Sequence, residues 1–161
     1  MSNHPWLDEA RKYIGLEEIA GAQHNPEILQ MWKDIRRGGI KDDETPWCAA
    51  FTGAMLERVG VRSSRFESAR SYLKWGVTLE RPIPGCIAVF TRVGGGHVGF
   101  VTGKTTNGNL LVLGGNQSDA VNIRAFELDR VSGYRWPAGV PVVAEELAVL
   151  ADDLPLSSSE A

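Results

Sequence analysis

The feature of the sequence that most constrains its fold is a change in hydrophobic pattern about halfway along the chain. In the first half, apolar residues recur at helical spacing in four segments, which span about 6–14, 26–35, 45–59 and 66–75. From residue 86 onward, short apolar runs alternate with turn residues, as strands do; they are Cys86–Phe90, His97–Thr102, Asn109–Leu113, Val121–Phe126 and Gly133–Trp136. Helices followed by strands predict an α+β domain, with N-terminal helices packed on a C-terminal antiparallel β-sheet.

A single domain is expected, because 161 residues are an ordinary domain length. We assign residues 1–137 to this domain and residues 138–161 to an acidic C-terminal tail that is partly disordered. The tail has five acidic and no basic residues, whereas the rest of the chain has 17 basic and 15 acidic residues. Within the tail, a short helix is predicted over Ala144–Leu150 and disorder over Pro155–Ala161.

Charge and hydropathy limit the kinds of partner that the chain is expected to bind. A mildly basic body suits an anionic polymer, and no basic stripe with interleaved aromatic residues points to nucleic acid. No apolar run approaches the length that crosses a bilayer, so membrane insertion is not expected. The N-terminus lacks the pattern of a secretory signal peptide, which predicts a protein that is cytoplasmic when made. We expect a monomer.

Cys48 is the candidate nucleophile. Thr45 is the predicted N-cap of the third helix and Pro46 its first residue, so Cys48 falls in the first turn. Backbone N–H groups without helical partners and the helix dipole favour a thiolate there, and the thiolate is the nucleophilic form. The alternative is a small buried side chain. Cys86, at the start of an apolar strand, is interpreted as core packing.

His97 is the candidate base. It opens a strand after three glycines, and flanking glycines are expected to leave its ring open to a substrate. A thiol needs a neighbouring base to react at neutral pH, and histidine is the usual one. The alternative is a histidine at the edge of a sheet.

Asn116 is the candidate third residue, which would orient the imidazole. Asn107-Gly108 predicts a two-residue hairpin turn. Counting outward from this turn places His97 opposite Ser118, with Asn116 on the same face. Asp119 then points to the other face unless a bulge intervenes, so it is the reserve. Alternatively, Asn116 is a simple turn residue.

Three segments resemble the papain-like peptidoglycan hydrolases of the NlpC-type cysteine peptidase family, which is related to CHAP domains and common in phages; they are Asp43–Phe51, Gly96–Val101 and Leu113–Asp119. The resemblance extends over about Pro5–Pro137. It implies that Cys48 heads a helix packed on an antiparallel sheet that carries His97 and Asn116. It further implies hydrolysis of peptidoglycan, either within the stem peptides or at the amide that joins them to the glycan. The implied setting is a phage endolysin that reaches the cell wall through a holin.

Two other functions fit the same residues: a catalytically inactive cell-wall-binding module, and an antibacterial toxin or acyltransferase that uses the same triad. No cofactor or metal is expected, because the spacing of zinc ligands is missing. Asp42, Asp43 and Glu44 lie where some CHAP domains bind calcium, but the spaced oxygen ligands of an EF-hand-like loop are missing. We interpret these three residues as a solvated acidic loop.

Overall fold

The computed structural model describes residues 3–19, 24–41, 46–92, 95–152 and 156. Its helices are α1 (Pro5–Arg11), α2 (Pro26–Asp34) and α3 (Cys48–Arg58), with short 3₁₀ helices at Ala69–Lys74 and Leu128–Arg130. Its strands are β1 (Val77–Leu79), β2 (Ile87–Arg92), β3 (Gly95–Thr105), β4 (Leu110–Gly114), β5 (Asn122–Phe126), β6 (Val131–Trp136) and β7 (Val149–Ala151). The predicted α+β class is confirmed. None of the helices in the described ranges is long and apolar enough to cross a bilayer.

The strands form one sheet in the order β1-β6-β2-β3-β4-β5, and their pairings along this path are antiparallel. β7 lies off this path and pairs in parallel with the C-terminal end of β3. β3 is therefore the central strand, with β4 along one edge and β2 followed by β7 along the other. The order and type of the five predicted strands are confirmed; the short strands β1 and β7 were not predicted.

α3 is the central helix of the core. Every residue from Cys48 to Leu56 is buried, and the helix packs against α1, α2 and β3. A helix that is apolar on all sides belongs inside a protein. Phe51 meets Phe100 of β3 edge to face, with ring centroids 6.5 Å apart. The N-terminal half of α3 is thereby held against the sheet.

The ends of the helices depart in places from the prediction. α3 begins at Cys48 with Trp47 as its N-cap, so Pro46 precedes the helix and the predicted cap Thr45 lies outside the described residues. Cys48 is nevertheless in the first turn, as predicted, because the helix simply starts two residues later. The fourth helical segment is a short 3₁₀ helix rather than an α-helix.

The turn between β3 and β4 changes the predicted register. The backbone N–H of Thr105 donates to Asn109 O at 2.9 Å, so the loop between them has three residues instead of two. A second irregularity falls at Thr102, where β3 bulges against β4. Both shift β4 relative to β3, and the predicted pairing of His97 with Ser118 is therefore wrong.

The predicted helix over Ala144–Leu150 is also wrong. Most of the segment before β7 forms no regular structure, and the chain then joins the edge of β3. Lys104 N–H donates to Ala148 O at 3.0 Å. The unpaired edge of a strand can form hydrogen bonds with an extended segment. The helix was predicted from the spacing of apolar residues within the segment, which does not show that such an edge lies nearby. The predicted disorder of Pro155–Ala161 lies outside the described residues, apart from Leu156.

Candidate active site

The thiol of Cys48 lies where the start of α3 meets the edge of β3. The backbone N–H of Val98 hydrogen-bonds to this thiol. Successive N–H groups of a strand point to opposite edges; Val101 donates on the β2 side, so Val98 donates on the β4 side. β4 ends at Gly114, before it would reach Val98. Cys48 thus contacts the residue that follows His97.

Burial controls the protonation of both cysteines. Cys48 is 3% exposed, and burial raises the pKa of its thiol to about 11, although hydrogen bonds from the backbone of Val98, Ala49 and Cys48 itself act to lower it. The N–H groups at the helix start thus act in the predicted direction, but desolvation outweighs them. The expectation of a resting thiolate is therefore wrong. Cys86 is buried in the core, as predicted, and burial raises its pKa to about 12.

The imidazole of His97 is enclosed rather than open. It is 1% exposed and lies against Phe90 and Phe126, with ring centroids 6.1 Å and 5.5 Å away. Burial lowers the pKa of His97 to about 4, the hydrogen bond with Gln117 acts to raise it, and the charge of Arg130 lowers it further. The predicted open ring is wrong, because side chains of β2 and β5 cover it. At pH 7 the ring is neutral and able to accept a proton.

Gln117 holds the imidazole. Its Oε1 lies 2.9 Å from His97 Nε2, and both side chains are buried. The contact predicted for Asn116, with Asp119 in reserve, is thus made by Gln117. Asn116 precedes it in the left-handed region with φ 58°, and Asp119 is exposed with φ 61°. The alternation of side chains between the two faces of a strand does not predict the position of Gln117, because this residue lies in the loop after β4. The only signal in the sequence is the concentration of polar residues in this loop.

Gly114 and Gly115 have no side chains, which allows the loop after β4 to pack against both α3 and β3. A Cβ at Gly114 would lie 2.5 Å from Gln117 Oε1 and 3.3 Å from His97 Nε2. A Cβ at Gly115 would lie 2.7 Å from the ring of Trp47, the N-cap of α3. Any larger residue would displace the loop from α3 and β3. The loop that carries Gln117 therefore depends on both glycines for its position.

The arrangement of these residues points to a class of protein. An α+β domain that places a cysteine at the start of a buried helix, against the backbone of the residue after a histidine with an amide partner, has the residue types of a cysteine–histidine hydrolase. Residues 40–116 match the family model of the CHAP domain. The match includes Cys48 and His97 and ends one residue before Gln117. The matched segment is thus similar to a family of peptidoglycan hydrolases and amidases. None of the curated proteins compared with the chain matches it significantly.

EDTA is expected to leave the activity unchanged. Within the described ranges, no three His, Cys, Asp or Glu side chains lie together as metal ligands; Asp42, Asp43 and Glu44 lie outside them. A thiol and an imidazole supply nucleophile and base on their own. The measurement is the clearing of a suspension of sacculi with and without EDTA. Inhibition that calcium or zinc reverses would contradict the prediction.

The burial of His97 predicts an acid-sensitive fold. Between about pH 6.5 and pH 4 the unfolded chain binds a proton at this residue and the folded chain does not, so the free energy of unfolding falls as the pH falls through this window. A shift of this size corresponds to roughly 3 kcal/mol. Urea unfolding at pH 7 and pH 4.5 measures the loss, and His97→Gln, which cannot titrate, should lose less. Equal losses in both proteins would contradict the prediction.

Proposed function

We propose that the protein is a cysteine hydrolase that cleaves amide bonds of bacterial peptidoglycan. Cys48 is the nucleophile, His97 moves the protons, and Gln117 orients the ring. The observation that carries the proposal is the juxtaposition of the Cys48 thiol with the backbone next to His97, whose far nitrogen is held by Gln117. The match of residues 40–116 to the CHAP domain supports peptidoglycan as the polymer that is cut.

The first step begins from two neutral groups, because burial disfavours the charged forms of both Cys48 and His97. Gln117 engages Nε2 of the ring, which leaves Nδ1 for the thiol. As the sulfur attacks the carbonyl carbon, the thiol proton passes to Nδ1 and the carbonyl oxygen becomes an oxyanion. We expect the backbone N–H of Cys48, at the start of α3, to stabilise that oxyanion.

The second half of the reaction returns the proton. The carbon–nitrogen bond breaks, the leaving amine takes the proton from Nδ1 of His97, and an acyl group remains on Cys48 as a thioester. A water molecule then gives a proton to Nδ1 while its oxygen adds to the thioester carbon. The carbon–sulfur bond breaks, the sulfur recovers its proton, and a carboxylic acid leaves. His97 thus acts as base and then acid in each half.

Mass spectrometry of fragments released from purified sacculi tests the proposal. An endopeptidase produces new amino termini within the stem peptides, whereas an amidase frees whole stem peptides from the glycan. Either product, formed by the wild type and not by Cys48→Ser, supports a cysteine hydrolase. Release of fragments with only new reducing sugar ends, or no release at all, would reject it.

The burial of both Cys48 and His97 also favours a second candidate, an inactive cell-wall-binding module of the same fold. A buried neutral thiol is what such a module would retain as core packing. The discriminating measurement is alkylation of the thiols with iodoacetamide in the presence and absence of sacculi. Selective labelling of Cys48 over Cys86 supports the enzyme, whereas binding to sacculi without such labelling and without cleavage supports the module.

We further propose that the protein acts as the endolysin of a phage or prophage, made in the cytoplasm and released to the wall through a holin. The resemblance of its motifs to those of phage lysins supports this setting. Expression in a bacterial host tests it: lysis should require co-expression of a membrane pore. Lysis without any pore would contradict release by a holin, and inhibition of rival cells by the externally added protein would favour a toxin instead.

A further inference from the structure

The side-chain amide of Gln117 is held on both of its sides. Its Oε1 faces His97 Nε2 at 2.9 Å, and its Nε2 donates to Val112 O at 3.2 Å, Asn122 O at 2.8 Å and Asn122 Oδ1 at 2.9 Å. Asn122 Nδ2 donates back to Gln117 O at 2.8 Å. The two residues therefore form a reciprocal pair that closes the loop between β4 and β5.

The hydrogen-bond partners of Gln117 and Asn122 allow only one orientation of each side-chain amide. Carbonyl oxygens only accept hydrogen bonds, so only the NH₂ group of Gln117 can face Val112 O and Asn122 O. Arg124 Nε donates to Asn122 Oδ1 at 3.3 Å, and a guanidinium only donates. Turning either amide over would set oxygen against oxygen in a buried site, which costs the full penalty of unsatisfied groups.

The direction of the Gln117 amide determines where His97 carries its proton. Oε1 accepts, so Nε2 of the ring must be the protonated nitrogen. Nδ1 then has a lone pair and is the nitrogen that can take the proton of Cys48. With the amide reversed, Nε2 would accept and Nδ1 would already hold a proton.

We propose that Asn122 is a positioning residue: its side chain accepts from Gln117 Nε2 and donates to Gln117 O, which holds the loop so that the Gln117 amide stays against His97 and keeps the ring in the tautomer whose Nδ1 can accept the proton of Cys48. The inference rests on the proposed function, which makes His97 the base. It also means that the position of Gln117 requires an amide, because a carboxylate cannot donate to Val112 and Asn122. The hydrogen bonds thus run from Arg124 to Asn122, from Asn122 to Gln117 and from Gln117 to His97.

A double-mutant cycle separates positioning from a merely structural role. Asn122→Ala is expected to lower kcat roughly tenfold with KM unchanged, because it acts on the proton transfer and not on substrate binding. In a Gln117→Ala background the same substitution should lower kcat less than twofold. Two independent losses that multiply would overturn the proposal. Asn109→Ala, in the turn between β3 and β4, is the matched control and should keep full activity.

Gln117→Glu tests the same hydrogen bonds by changing Gln117 instead of its partner Asn122, and it keeps the size of the side chain. A carboxylate stabilises an imidazolium better than an amide does, so a purely electrostatic role predicts equal or higher kcat. The hydrogen bonds to Asn122 and Val112 predict a loss similar to that of Asn122→Ala. Full activity in Gln117→Glu would overturn the proposal, and this result stands even if Asn122→Ala does not fold.

Nitrogen-15 NMR of His97 gives a readout that needs no turnover. The wild type should show the ring proton on Nε2, in slow exchange with water because the site is buried. Asn122→Ala should weaken that signal by faster exchange. An inactive wild type with the proton on Nε2 would count against the proposed function alone. An active enzyme with the proton on Nδ1 would overturn the role of Asn122 while leaving the hydrolase in place.

Discussion

Replacing Cys48 by serine is expected to abolish the cleavage of peptidoglycan, with a loss on the order of 10³-fold or more. The hydroxyl would occupy the same buried position at the start of α3, but it ionises far less readily than the thiol, and His97 is a weak base there because burial lowers its pKa to about 4. The measurement is the initial rate of fragment release from sacculi, with folding checked by thermal melting. Ordinary activity in Cys48→Ser would remove Cys48 as the nucleophile.

Cys86→Ser is the matched control for that experiment. Cys86 is also buried in the core, but it lies immediately before β2 and not at the start of α3. The serine should keep most of the activity, and the free energy of unfolding should fall by about 1–3 kcal/mol because a hydroxyl is buried among apolar groups. A large loss of activity in Cys86→Ser at unchanged stability would mean that the two thiols have been assigned the wrong roles.

Removing the amide that holds the imidazole is expected to have the second largest effect. Gln117→Ala should lower turnover roughly 10- to 100-fold, by analogy with the loss of other positioning groups. Some activity should remain, because Cys48 and His97 are both still present. The rate is measured on the same preparation of sacculi, and thermal melting shows whether the loop has stayed folded.

The neighbouring polar residues of the loop provide the comparison. Asn116→Gly suits the left-handed backbone at that position, and Asp119→Asn changes an exposed side chain. Both variants should be much milder than Gln117→Ala. If Asn116→Gly were the inactive variant and Gln117→Ala nearly normal, the third role would return to Asn116, as the sequence alone suggested.

The order of the regular elements, and the elements on which the two candidate residues lie, could be predicted because they depend on local rules. Helical spacing and a cap at Asn25, whose side chain accepts from Glu27 N–H, are visible in the sequence. The same holds for the apolar runs of β2 to β6. A cysteine in a first helical turn and a histidine opening a strand were singled out by position, and the structure places both at the junction of α3 and β3.

The residue that holds the imidazole could not be predicted, because errors in the assumed register of β4 relative to β3 add up along the two strands. One extra residue in the turn before Asn109 and one bulge at Thr102 each move β4 relative to β3. Beyond Gly114 the alternation of faces no longer applies, because the strand has ended. Gln117 reaches His97 only through the loop that Asn122 closes.

The sequence by itself determined the order of helices and strands, the α+β class and the two residues that carry the proposed chemistry, because periodicity, caps and turn residues are properties of neighbours in the chain. Only the tertiary structure decided which side chain holds the imidazole, how β7 adds to the sheet and which protonation states the pair adopts. The thiol was expected to ionise at a helix start, but the packing of α3 on the sheet buries it and raises its pKa. Desolvation depends on everything that surrounds a group, so it cannot be read from the residues beside it in the sequence.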